Sequence, residues 1–276
     1  MVISSGTRIQ MARVQYLFID GGYLREVIER VARQFFQGQQ LPVDHKALSR
    51  GFTKCFYYDC MAPRKKTDTA DEYQQRCEAL QEHFRSLRMI DGWHVFEGVL
   101  TGSGAEARQK QVDIQIAVDM LAHSHRRNMD EITFIAGDQD FKPLVDALVR
   151  EGMYVRLWYE PRSASRELVL AADARRPLGV YDIHSFLTQK FRREWELPIR
   201  SSQPGKNIKN AELLERGTGS AEDIELWRLR DEVSYQITHV DPLNHGYYMH
   251  MKHQDLGFLK LAHESLEGTT KWSPQA

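Results

Sequence analysis

The chain has 276 residues, with 37 Lys and Arg against 38 Asp and Glu, so a formal net charge of −1 excludes a uniformly basic nucleic-acid coat but not a local basic groove. Hydrophobic residues at 42% and charged residues at 27% describe an ordinary globular protein, long enough for one main core and a smaller second one. No run approaches about 18 apolar residues, the first twenty lack a signal-peptide pattern, and the three cysteines show no CxxC spacing. The expectation is a reduced, cytoplasmic protein with no membrane span and neither a disulfide framework nor a zinc site.

Residues 1–13 are polar and unpatterned and read as a flexible tail. Val14–Ile19 is a short apolar run of strand formers that stops at Asp20-Gly21-Gly22, a turn signal. From Tyr23, the recurrence of Leu24, Val27, Ile28, Val31 and Phe35 predicts an amphipathic helix. Thr53–Cys60 reads as a second strand and residues 70–89 as a helix. Trp93–Val99 reads as a third strand, with a helix over 105–123 after a Gly/Ser loop. Glu131–Ala136 is a fourth strand ending in Gly137-Asp138-Gln139-Asp140, and Pro143 suits the first turn of the helix after it. Tyr154–Tyr159 reads as a fifth strand, Ser165–Ala174 as a short helix and Val180–Ile183 as a sixth strand.

Strands joined through helices need crossover connections, so the fold class is α/β with a mostly parallel sheet over residues 14–187. Residues 188–220 mix Lys, Arg and Glu around Ser201-Ser202-Gln203-Pro204-Gly205 and read as a linker. Residues 221–276 read as a small C-terminal extension, helix-like over 221–235 and then rich in His, Tyr and Met.

In an open parallel sheet, chemistry collects outside the carboxyl ends of the strands. Asp20 follows the first strand, Asp138 and Asp140 follow the fourth, and Asp113 lies on the helix feeding the fourth. Carboxylates converging on one rim repel by ~4 kcal/mol per pair at 4 Å for an effective dielectric near 20. A hard divalent cation, Mg²⁺ or Mn²⁺, removes that penalty and brings the means to hydrolyse a phosphodiester. Each aspartate also has an ordinary role open to it, as a turn residue or helix cap. Asp113 is the hardest to dismiss, because Val112, Ile114, Ile116, Val118 and Leu121 make its helix apolar on most sides. Asp119, six residues on and about 120° round the helix, ranks below the other four as a second-tier ligand or buried hydrogen-bonding group.

The order FIDGGYL, KQVDIQIAVDML and ITFIAGDQDFKPLVDALVREGMYV resembles the NYN domain, a branch of the PIN-like nuclease superfamily, over roughly residues 14–187. The resemblance implies a three-layer PIN-like fold and a metal-dependent endoribonuclease with Asp20, Asp113, Asp138 and Asp140 as catalytic metal ligands. It also implies that Lys110 touches a phosphate. Many relatives carry Asn shortly after the first aspartate, where this chain has Gly21-Gly22-Tyr23. Arg64, Lys65 and Lys66, after the second strand on the same rim, are candidates for RNA backbone phosphates, with a solvated loop as the competing reading. Tyr23 is a candidate for stacking on a base of single-stranded or loop RNA, with packing as its competing role.

Two other functions stay open. One is a non-catalytic RNA-binding or regulatory module on the same fold, and the other is a phosphatase-type phosphohydrolase. DGGYLR is not G-x-G-x-x-G, so a dinucleotide-binding reading fails. His239, His245, His250 and His253 have no established zinc spacing and read as packing for the extension. The extension is the expected surface for a homo-oligomer or a protein partner.

Overall fold

The computed structural model describes residues 13–61, 67–98, 105–230 and 233–274, the side chains of 105–110 excepted. The expected tail therefore lies outside the described residues up to residue 12, as do Arg64, Lys65, Lys66 and the side chain of Lys110. The chain divides into two compact units, Met1–Val27 with Asp44–Leu178 and Ile28–Val43 with Gly179–Ala276.

The first unit alternates strand and helix. Its elements are β1 (Gln15–Asp20), the start of α1 (Gly21–Phe35), α2 (His45–Leu48), β2 (Lys54–Cys60), α3 (Ala70–Arg88), β3 (Trp93–Gly98) and α4 (Ala105–His125). There follow β4 (Glu131–Ile135), a 3-10 turn (Gln139–Phe141), α5 (Lys142–Arg150), β5 (Tyr154–Tyr159), α6 (Arg166–Ala171) and β6 (Ala174–Pro177). The strands form one parallel sheet in the order β3-β2-β1-β4-β5-β6. Central β1 is buried on both faces, with Leu17, Phe18 and Ile19 fully inaccessible, as expected of a strand between helix layers. Phe18 stacks on Phe56 of β2 at 4.9 Å, and Phe134 of β4 meets Phe141 edge-on at 5.0 Å. Strand order reverses between β1 and β4, so a crevice opens outside the carboxyl ends of these two strands.

The sixth strand is Ala174–Pro177 rather than Val180–Ile183, which belongs to helix α7 (Val180–Ser185). The Asp182 carboxylate accepts from Gly179 N–H at 3.0 Å, and this cap starts a helix where the short apolar run suggests a strand.

The second unit corrects the expectation for the C-terminal third. After α7 and α8 (Gln189–Glu194), the supposed linker carries β7 (Ile199–Pro204) and β8 (Ala211–Thr218). The helix-like stretch 221–235 holds β9 (Ile224–Leu229) and the first residues of β10 (Ser234–Val240). With β11 (Tyr247–His253) and β12 (Lys271–Pro274) these make a six-stranded sheet, β12-β8-β9-β10-β11-β7, antiparallel throughout. Helix α9 (Leu256–Glu267) adds Leu259 and Ala262 to a core with Ile224, Leu226, Ile237 and Met251.

Candidate active site

At the crevice, an open cleft of about 740 Å³ is lined by Asp20, Asp59, Asp113 and Asp138, together with Tyr23, Arg25 and Arg162. Asp20 is the last residue of β1. Helix α1 begins at the next residue, and Tyr23 N–H donates to Asp20 Oδ1 at 3.0 Å, so Asp20 both caps the helix and faces the cleft. The tight passage requires glycine: a Cβ on Gly21 would lie 2.5 Å from the Tyr57 ring.

Asp138 plays the same double part after β4. Its Oδ1 accepts from Asp140 N–H at 3.0 Å, capping the 3-10 turn, while the residue lines the cleft. Asp113 enters the cleft from α4, next to buried Val112. Burial pushes the Asp20 carboxyl up to about 7, assisted by the charges of Asp113, Asp59 and Asp138 and opposed by the Tyr23 N–H. Burial, then Asp138 and Asp140, raises Asp113 to about 6. The two groups thus feel the crowding expected of carboxylates gathered on one rim.

Asp140 is exposed and contributes to the field on Asp113. Asp119 is turned to other partners: it accepts from the Tyr58 hydroxyl at 2.9 Å and from Gln115 Nε2 at 2.8 Å. Tyr23 has a structural attachment. Its ring lies so close over Gly137 that a Cβ there would approach to 2.3 Å, and its hydroxyl accepts from Glu160 N–H at 2.8 Å.

Asp59 and Arg25 are additions to the residues singled out from sequence. Asp59 is 3% exposed, and its carboxylate accepts from Arg25, from the Tyr57 hydroxyl at 3.3 Å and from Cys60 N–H at 2.8 Å. The available signal was its place near the end of the second strand, the position type that marks Asp20.

The parallel α/β sheet with helices on both faces is consistent with a PIN-like fold. The family model described as "NYN domain" matches residues 19–178, more than half of the chain, and the chain belongs to that family. No curated protein matches it. Among solved structures, a protein of unknown function from Vibrio parahaemolyticus is similar at 15% identity and a TM-score of 0.44, covering 66% of this chain and 100% of its own.

Proposed function

We propose that the protein is a metal-dependent endoribonuclease whose phosphodiester chemistry runs at the cleft holding Asp20, Asp113 and Asp138. The observation that carries this reading is the meeting of Asp20, Asp113 and Asp138 in one open cleft outside the carboxyl ends of β1 and β4, and the raised Asp20 and Asp113 carboxyls support it. Crowding mutually repelling carboxylates into one cleft is costly for a pure binder of phosphates and is offset by a divalent cation during catalysis.

The donor set fits such a cation by its chemistry, since all the candidates are carboxylate oxygens. Among the described residues, no three His, Cys, Asp or Glu side chains are arranged as a ready metal cage. Mg²⁺ seldom needs one, because it keeps several waters and binds through one or two carboxylates plus substrate phosphates. Asp20, Asp113 and Asp138 would hold Mg²⁺ or Mn²⁺, with Asp140 at the margin. When bound, the cation supplies positive charge to the phosphodiester oxygens and activates water.

The protein's own groups do the rest. Tyr23 N–H fixes one Asp20 oxygen, and Asp138 is held by the amide of Asp140, so both carboxylates are oriented before substrate arrives. RNA with single-stranded or looped segments suits an open cleft better than a compact duplex does. The three cysteines are free, consistent with a cytoplasmic setting. Among the described residues, no helix is long and apolar enough to cross a membrane.

The test is cleavage of mixed single-stranded and structured RNA with Mn²⁺, Mg²⁺ or EDTA, using wild type, Asp20→Asn and Asp138→Asn with folding checked by circular dichroism. Metal-dependent cleavage lost by at least about 100-fold in both folded variants is expected. RNA binding without cleavage under either metal would favour the binding module instead, and activity confined to small phosphate esters would favour a phosphatase.

A further inference from the structure

The cleft is not lined by acid alone. Arg25 rises from α1 on the β2 side, and Arg162 follows β5 on the opposite side. Because β2 and β5 bracket β1 and β4 in the sheet, the two arginines stand on either side of Asp20 and Asp138. The four strands span three interstrand steps, roughly 14 Å.

Arg25 is held in a deliberate way. Its partner Asp59 has a side chain only 2% exposed, yet 40% of the Arg25 side chain remains open to solvent. Tyr57 and Cys60 fix the Asp59 carboxylate from two further directions. An ion pair with one member buried adds little stability over an apolar pair of the same volume, so stability does not explain it. It does hold a planar guanidinium, with its fork of donors suited to phosphate, at the edge of the cleft. Arg162 is exposed, and its backbone is anchored: Arg162 N–H donates to Glu160 Oε2 at 3.1 Å, and Glu160 N–H donates to the Tyr23 hydroxyl. A polyanion crossing the acidic centre would meet repulsion there and, among the described residues lining the cleft, an arginine on each side.

We propose that Arg25 and Arg162 bind the phosphates on the two sides of the bond to be cut, with Asp59 acting as a positioning residue for Arg25. The proposal rests on the endoribonuclease reading and narrows it. The substrate is a single strand that continues past the carboxylates in both directions, rather than a mononucleotide or a terminal phosphate.

The test uses the full chain carrying Asp138→Asn to suppress cleavage, with a fluorescent single-stranded RNA titrated in Mg²⁺ at salt concentrations from roughly 50 to 200 mM. Arg25→Gln alone leaves the Asp59 charge buried without its partner, so the informative variant is the double change Arg25→Gln/Asp59→Asn. That pair and Arg162→Gln should each reduce the slope of log affinity against log salt by about 0.7, and together by about 1.4. Asp59→Ala should keep the slope while weakening affinity, and Asp59→Asn, which retains an acceptor, should recover part of the loss. In the cleavage-competent chain, Asp59→Ala should raise KM more than it lowers kcat. Unchanged slopes in the arginine variants, with wild type still cutting RNA, would overturn the bracket and leave the nuclease standing. Wild type that neither binds nor cuts RNA with Mg²⁺ or Mn²⁺ would overturn both.

Discussion

The phenol oxygen of Tyr23 accepts a 2.8 Å hydrogen bond from the backbone N–H of Glu160, joining the first turn of α1 to the loop that follows β5. Glu160 is 8% exposed, so this amide has little access to water as a substitute acceptor. Tyr23→Phe should therefore cost about 1–2 kcal/mol. The effect should be local: amides of 160–163 should exchange faster with deuterium, while those of β1 and β4 keep their protection. Exchange in that loop indistinguishable from wild type would show that the hydroxyl does not anchor it.

The same ring makes Gly137 irreplaceable. A Cβ at that position would stand 2.3 Å from the Tyr23 ring, so Gly137→Ala should destabilise by about 1–3 kcal/mol through overpacking. Removing the ring removes the clash. Tyr23→Ala/Gly137→Ala should consequently be less destabilised than the sum of the single changes, as groups in direct contact are not additive. Denaturant titration of the four proteins measures this, and strict additivity would contradict the contact.

Asp20 gives a pH dependence with a definite sign. Its carboxyl lies near 7 in the folded chain against 3.8 ordinarily, so the folded state holds more protons between those values. The associated stability is fully present below about pH 4 and is lost as the pH rises through 7. The loss is of order 3 kcal/mol once screening at an open cleft is allowed for. Asp20→Asn, which stays neutral, should melt higher than wild type at pH 8 and converge with it near pH 4. Mg²⁺ at pH 8 should raise the wild-type melting temperature and leave the variant nearly unmoved. A variant melting below wild type at pH 8 would contradict the crowding of charge described here.

Much of the first unit is legible in the sequence because its signals are local. Asp20 closes one run of strand formers and Asp138 comes just after another, past Ala136 and Gly137, with turn residues following each run. Asp59 is harder to read, since it sits one residue inside its strand and its meaning depends on Arg25, 34 positions away in the chain. The second unit hides for a different reason. β7 and β8 are edgeward strands with mostly exposed or half-exposed residues, so apolar alternation is weak. Their surroundings are charged for a structural purpose: Lys206 pairs with Asp223 at 2.8 Å and Glu225 at 2.7 Å, a network that in one dimension looks like linker. Residues 221–235 mislead because Ile224 and Leu226 are spaced by two toward a core completed by Leu259 of a later helix.

That second core contains a buried histidine whose consequence can be measured. His263 is fully inaccessible, neither of its ring nitrogens has a hydrogen-bond partner among the described residues, and it meets His239 edge-on at 5.3 Å and Trp272 at 6.0 Å. Burial, then His239, pushes His263 down to about 4. The unfolded chain therefore binds the extra proton first, and stability should fall as the pH drops from about 6.5 toward 4. The full drop amounts to about 3 kcal/mol from this residue. His263→Leu removes both the titration and the unpartnered nitrogens at modest change in volume, so it should melt no lower than wild type at pH 7.5 and clearly higher at pH 5. Tryptophan fluorescence, with Trp272 beside the site, follows the unfolding. An equal decline in both proteins between pH 6.5 and 4.5 would assign the acid sensitivity to another group.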